Sequence, residues 1–485
     1  MMSDLVLVID IGTTSVRVAA VDPAGKIREQ LRRKLPPSSP APGLVEFDAL
    51  ELATTIEELA NRCVASCGPV AAVGITNQRA STVAWSAYTH QPLMPALGWQ
   101  DLRTVFDCIM AKANHGLALA PNQSATKMTW LLANIDPQID RADIRFGTVD
   151  SWITWWLSNG QSHVTDTTNA AVTGLTSVAT LDWNADTLTT LGIDRLHLPR
   201  IVPSSGELAN ASRITGTPPI TALIGDQQGS LVGQGCIAPG EAKITFGTGG
   251  MLDVITGAVA PRGASRSESG TFPIVARTST TETIWGAEAI MLAAGTNVEW
   301  LVDDMGLIAS AEESEAVAAS VDSSDGVVYV PALLGLGTPY WDYGARGTLL
   351  GITRGTTRAH IVRAVLEGVA ARGADLVEAT REETGLPIAT IRIDGGMSRN
   401  GIFTKALADA TQATIEVAAD TESTTLGAAY LAGTQVGIWP DLASACATRE
   451  IGKVVEPGSP TDRGGWRKSV QRAAGWIPDL SALDF

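Results

Sequence analysis

The sequence predicts an α/β protein made of two similar halves. Apolar runs that end in a Gly/Thr turn and resume as a second strand-like run occur near residue 10 and again near residue 247. Alongside them lie stretches whose apolar residues recur at helical spacing. The 485 residues, 45% of them hydrophobic, suffice for more than one sizeable core and exclude a disordered chain. No low-complexity linker separates the halves, so a duplicated α/β domain fits best. The boundary is expected near Gly233–Gly235, giving domains 1–235 and 236–485.

Taken in order, Leu5–Ile9 is an unbroken apolar run, the signature of a strand buried on both faces. It ends in Asp10-Ile11-Gly12-Thr13-Thr14-Ser15, and Val16–Val21 resumes as a second strand. Asp22-Pro23-Ala24-Gly25 is a turn by composition, and Lys26–Lys34 a third strand. Asp48 is placed to cap a helix running to about Ser66, with Leu52, Ile56, Leu59 and Cys63 on one stripe. Val70–Thr76 is another buried strand, closing at Asn77-Gln78-Arg79. In the second half, Pro219–Ile224 ends at Gly225-Asp226-Gln227-Gln228, and Glu241–Phe246 runs into Gly247-Thr248-Gly249-Gly250 and then Met251–Ile255. Ala359 to about Glu383 reads as a long helix, followed by a strand at Ile388–Ile393 and the turn Asp394-Gly395-Gly396. Trp152, Trp155 and Trp156 share a helix face, which suits core packing or a subunit contact better than a sugar-stacking platform.

Composition narrows the partners. Thirty-five Lys and Arg against 51 Asp and Glu leave a net charge of −16, which argues against nucleic acid and anionic membrane. The five cysteines contain no CxxC, so neither a disulfide framework nor a zinc site is expected, and Cys63 and Cys67 read as neutral thiols. The histidines show no metal-binding spacing. Met1-Met2-Ser3-Asp4 lacks a basic leader and no apolar run reaches 18 residues, so a soluble cytoplasmic protein is expected. Glycine is enriched, at 48 residues, which directs attention to where the glycines lie.

There is no GxxxxGK[ST] and no GxGxxG, so P-loop and Rossmann sites are excluded. Three Gly-rich turns remain, each directly after an apolar strand. Each alone could be an ordinary hairpin. Together and in this order they suggest a nucleotide site, with backbone N–H groups and hydroxyls for phosphate and Asp10 beside a hydrated Mg²⁺. Asp226, at a strand end in a chain without a catalytic His or Cys arrangement, is a candidate general base. The alternative is an Asp that caps the helix starting near Gln228. Phosphoryl transfer suits this inventory, because it needs positioning and electrostatics more than covalent chemistry.

These motifs resemble the FGGY carbohydrate kinases, and within them the glycerol kinases, from about Leu5 to Trp476. The most specific stretches are Asp10–Ser15, Gly74–Arg79, Phe146–Asp150, Gly225–Gln228, Phe246–Gly249, Gly335–Asp342, Ala345–Gly347, Asp394–Gly396 and Leu426–Gly433. The resemblance implies two ribonuclease-H-like (actin-like ATPase) domains with the site in the interdomain cleft, ATP as phosphoryl donor and Mg²⁺ as its partner ion. It implies that the first domain holds the acceptor, the first phosphate turn and the base, and that the second binds the nucleotide. By the same resemblance, Asp10 would position Mg²⁺, and Thr13, Thr14, Ser15 and Arg17 would face the phosphates. Thr248, Gly295, Gly396, Met397 and Asn400 would line the nucleotide site. Asp226 would be the base, with Arg79, Ala80, Trp99, Asn122, Gln227 and Met251 around a small polyol or sugar. A homodimer is the family-based expectation. An actin- or Hsp70-type nucleotide switch would share the fold and the phosphate turns, but would need no acceptor pocket.

Three positions depart from the glycerol-kinase pattern together. The Glu expected after Asn77-Gln78-Arg79 is Ala80, the Tyr two residues before Ser124-x-Thr126-Lys127-x-x-Trp130 is Asn122, and the Phe after the Gly-Thr-Gly turn is Met251. Losing a charge-assisted hydrogen bond costs roughly 1.5–3 kcal/mol, and all three changes remove bulk. The expectation is an acceptor larger than glycerol: a tetritol, a pentitol or a pentose-like sugar. Compensation elsewhere, with glycerol still bound, is the alternative. The Gly/Lys/Arg-rich loop that binds fructose bisphosphate in some bacterial glycerol kinases is replaced by Arg213–Pro219, with one Arg and no Lys, so that control is not expected.

Overall fold

The computed structural model describes residues 4–263, 265–419 and 422–482; the leader expectation for Met1–Ser3 lies outside them. Two mixed sheets organise the chain. The first contains β1 (Val6–Ile11), β2 (Ser15–Val21), β3 (Ile27–Lys34), β4 (Ala72–Asn77), β5 (Ser205–Asn210) and β6 (Pro219–Gly225), in the order β5-β6-β4-β1-β2-β3. The second contains β7 (Ala242–Phe246), β8 (Gly250–Gly257), β9 (Phe272–Thr278), β10 (Thr283–Met291), β11 (Thr390–Asp394), β12 (Thr414–Ala418) and β13 (Ile451–Val455), in the order β9-β10-β8-β7-β11-β12-β13. In each, the first strand pairs antiparallel with the second and parallel with a later one: β1 with β2 and β4, β7 with β8 and β11. The duplication expected from the sequence is therefore present, as a pair of ribonuclease-H-like sheets. The strands and helices expected by name are all found, with ends displaced by one or two residues.

The unbroken apolar character of β1 has a structural cause. Leu7, Ile9 and Ile11 point into a core shared with helix α1 (Ala49–Cys67), which starts as expected at Asp48, whose carboxylate accepts from Leu50 N and Glu51 N. Val6 and Val8 point the other way, into a core shared with Ala72, Ala222, Ile224 and residues of a helix from the far end of the chain. The tryptophan trio lies on α2 (Val149–Leu157) and packs in the first core, with the Trp85 and Trp152 ring centroids 5.4 Å apart. Core packing is thus the role the structure gives it. Cys63 and Cys67 are free, and burial pushes the Cys63 thiol up to about 12.

Two helices join the halves. Helix α3 (Asp226–Gly233) follows β6, and α5 (Ser423–Gln435), the helix that completes the core under Val6 and Val8, comes after the long α4 (Arg358–Thr384). Helices α3 and α5 cross at backbone contact: a Cβ on Gly427 would lie 1.9 Å from Gly229 O, and one on Gly233 1.8 Å from Ser423 O. Only glycine permits that approach. No helix among the described residues is long and apolar enough to cross a membrane.

Candidate active site

The site is assembled where the strand ends of the two sheets approach the α3 N-terminus. On β1, Asp10 continues the side of Val6 and Val8, so its carboxylate points toward α5 and accepts from Thr425 Oγ1 at 3.1 Å. Burial raises its pKa, opposed by the Arg17 guanidinium 3.6 Å away and by the Thr425 bond. Arg17 also pairs with Glu422. The turn that follows is tight, with Gly12 N donating to Ser15 O at 3.0 Å. It leaves Thr13 and Thr14 at least partly accessible, while the Ser15 hydroxyl accepts from Arg32.

Asp226 opens α3, but Gly225 is the capping residue; the Asp226 carboxylate accepts only the adjacent Gln227 N–H, at 2.8 Å, among the described residues. Burial raises its pKa first; Arg79, 3.8 Å away, is the strongest opposing influence, and the charge of Asp10 adds to the rise. The strand end carrying Asp226 is fixed from behind. Gly225 N donates to Thr168 Oγ1 at 2.9 Å, and the Thr168 hydroxyl in turn donates to Asp166 at 2.9 Å. Asp166 also accepts from Asn169, whose side chain exchanges hydrogen bonds of 2.9 and 3.1 Å with Asn77 on β4. One buried polar network therefore holds the ends of both β4 and β6.

Sequence-distant residues form one wall of the cleft. Ser124 Oγ donates to Ala80 O at 2.9 Å, and Trp99 N donates to Ser81 Oγ at 3.0 Å. The Lys127 ammonium donates to Trp99 O at 3.2 Å and to Pro121 O at 2.8 Å, tying the loop that bears Asn122 to Trp99. Burial lowers the pKa of Lys127 to about 8. Ala80 is held in the left-handed region at φ 62°, which costs an alanine about 1 kcal/mol. The Trp99 indole N–H reaches Thr13 Oγ1 at 3.2 Å, so this wall touches the turn after β1. Asn122 itself is exposed.

The second sheet supplies the facing side. Its turn at Gly247-Thr248-Gly249 is braced by Gly295 N donating to Gly247 O and Ala294 N donating to Thr248 O, each at 2.8 Å. Gly395 sits at φ 90°, with a hypothetical Cβ 2.2 Å from Phe246 O, whereas a Cβ on Gly396 would meet open space. Met397 packs in the second core, leaving its backbone to face the turn. Asn400 caps the helix Gly401–Thr411, accepting from Phe403 N and donating to Ser314 Oγ at 3.0 Å.

Three residues that the sequence reading did not single out complete the site. Lys243, Asp253 and Glu288 are direct neighbours across β7, β8 and β10, on the sheet face opposite the second core. Lys243 and Asp253 are 2.8 Å apart and fully buried. Glu288 reaches across to Arg79 at 2.6 Å, joining the halves. Burial opposes the charge on Arg79, but Glu288, then Asp226 and Asp253, outweigh it and raise its pKa. The available sequence signal was a charged residue in the middle of each of three apolar strands.

Two duplicated sheets, each with a Gly/Thr turn after its first strand, are the architecture of the actin-like ATPase class. The chain matches the FGGY family of carbohydrate kinases, N-terminal domain, over residues 5–233, and the C-terminal domain over residues 242–436. It is 40% identical to the glycerol kinase of Aromatoleum aromaticum over 97% of this chain and 99% of that one. It superposes on the Plasmodium falciparum glycerol kinase solved with ADP at TM-score 0.89, with 29% identity and 99% of each chain covered. The xylulose kinase of Lactobacillus acidophilus shares the fold at TM-score 0.86 and 22% identity, over 99% of this chain and 98% of that one. The chain belongs to the FGGY family of carbohydrate kinases. It is an ATP-dependent kinase of a small sugar or polyol acceptor.

Proposed function

We propose that this kinase phosphorylates a polyol or sugar larger than glycerol, a tetritol, pentitol or pentose-like acceptor. The supporting observation is that Ala80 and the Asn122 loop lie on one wall, knitted by Ser124 and Lys127, so that two of the three lost contacts open the same side. Met251 lies on the β8 face shared with Asp253, which faces α3. Its exchange for the family's Phe removes bulk opposite that wall.

Asp226 takes the proton of the acceptor hydroxyl. The acceptor oxygen then forms a bond to the γ-phosphorus as the bond to the β–γ bridging oxygen breaks, releasing ADP. Arg79, Gln227 and Trp99 orient the acceptor, while the two Gly/Thr turns and Arg17 receive the phosphates. Mg²⁺ fits the donors present. Asp10, a buried carboxylate near the end of β1 beside the Thr13–Thr14 turn, would hold the ion through water, with substrate phosphates completing its shell. When bound, it neutralises charge on the phosphates. Arg213, the one cation of the shortened loop, is engaged with Asn159 at 2.9 Å and lies over the Trp156 ring, which supports the absence of control by a sugar bisphosphate.

A second reading, glycerol itself as acceptor, is favoured by the names of the relatives. An ADP-release assay with ATP, Mg²⁺ and a panel of glycerol, tetritols, pentitols and pentuloses separates the two. The expected result is a kcat/KM for one larger acceptor at least about ten-fold above glycerol, the discrimination expected from roughly 1.4 kcal/mol. Preferred turnover of glycerol at low KM overturns the proposal. Ala80→Glu should raise kcat/KM for glycerol by about ten-fold; an unchanged value would count against the open wall.

A further inference from the structure

We infer that the buried Lys243–Asp253 pair is a positioning device for acceptor recognition: it fixes the Gln227 amide so that only its NH₂ end can face the acceptor. The argument starts from donor arithmetic. A lysine ammonium has three N–H donors and no acceptor. Two of them are used in hydrogen bonds, to Gln227 Oε1 at 2.6 Å and to Thr245 Oγ1 at 3.1 Å, and the charge is paired with the Asp253 carboxylate 2.8 Å away. Because the ammonium can only donate, the Gln227 atom against it must be the carbonyl oxygen, and the amide cannot flip. No side chain among the described residues takes a hydrogen bond from Gln227 Nε2, and Gln227 remains half-buried at the first turn of α3, next to Asp226.

The polarity of recognition follows. Gln227 presents a donor, so it binds a lone pair on an acceptor hydroxyl oxygen. The carboxylate of Asp226 accepts, so it binds a hydroxyl proton. Two adjacent residues with opposite and fixed hydrogen-bonding sense fit two hydroxyls of one polyol. Asp253 also adds to the negative field on Arg79, but its direct partner is Lys243. Apart from Lys243, neither of its oxygens has a hydrogen-bond partner among the described residues, and it supplies the counter-charge that a fully buried lysine requires. The pair sits on the second sheet and Gln227 on the helix that ends the first half. The amide is therefore set only when the two halves are together.

The inference rests on Gln227 contacting the acceptor, and the test separates the two. The neutral pair Lys243→Met with Asp253→Leu removes both charges at similar volume, a replacement that buried ion pairs often tolerate. Lys243→Gln with Asp253→Asn is the fallback if thermal unfolding shows the first variant unfolded. Each double variant should raise KM for the preferred acceptor by roughly ten-fold, the loss of about one fixed hydrogen bond, with KM for ATP within about two-fold. In a Gln227→Ala background the same double change should shift acceptor KM no further, since the device has nothing left to position. If Gln227→Ala raises acceptor KM but a folded double variant does not, the positioning role is overturned while the acceptor contact stands. If Gln227→Ala itself leaves acceptor KM unchanged, the acceptor contact falls, and the inference with it. Additive effects in the Gln227→Ala background would show that the pair acts on the acceptor by another route.

Discussion

Asp226, the proposed base, has its pKa raised above the ordinary Asp value, with burial the largest cause. Burial and the neighbouring Asp10 favour its neutral form, while Arg79, the Gln227 N–H and Lys243 favour the carboxylate. A base with a pKa above the ordinary Asp value accepts a proton more readily. Acceptor kcat/KM should therefore fall on acidification, through a midpoint above the usual Asp range. Asp226→Asn should lower kcat by about 10²-fold or more at every pH, while calorimetry shows ATP still bound. Persistent turnover would refute the assignment. Asp10 and Asp226 stand out in the sequence as candidates because each falls where an apolar run gives way to a turn. Lys243, Asp253 and Glu288 do not, because a charged residue inside a strand acquires a role only from what lies across the sheet.

At the scale of elements, the strand ends do not hold themselves. The polar network around Asp166 fixes β4 through Asn169 and Asn77, and β6 through Thr168 and Gly225. Thr168→Val keeps the shape but removes the oxygen that receives the Gly225 N–H. It should lower kcat by roughly ten-fold, in line with about 1–3 kcal/mol for an unsatisfied buried donor, and Thr168→Ser should restore it. A loss of thermal stability without a change in kcat would assign the network to the fold alone. Strands and the long helix were readable from period and punctuation, since β1 to β4 and α4 obey local rules. The network was not, because Asn77 and Asn169 meet over a separation of 92 residues. Nor was the wall at Ala80, which depends on Ser124 and Lys127 from a helix whose sequence says nothing of its neighbour.

The molecule as a whole is less divisible than its two-part sequence suggests. Division near residue 235 describes the order of the chain, yet α5 lies on the first sheet and crosses α3 at glycines. The Arg79–Glu288 pair and the reach of Lys243 to Gln227 add polar ties across the cleft. The groups proposed to hold the acceptor and those proposed to hold the nucleotide are thereby tied to one arrangement of the halves. The position of α5 also has a consequence for how the protein is made. A ribosome releases the first sheet early, with Val6, Val8, Ala72 and Ile224 covered in part by Val232 of α3, and supplies the rest of their cover with residues between 426 and 446. The nascent first half must keep that apolar face from other chains through most of the remaining translation, the situation in which chaperone attention and aggregation compete.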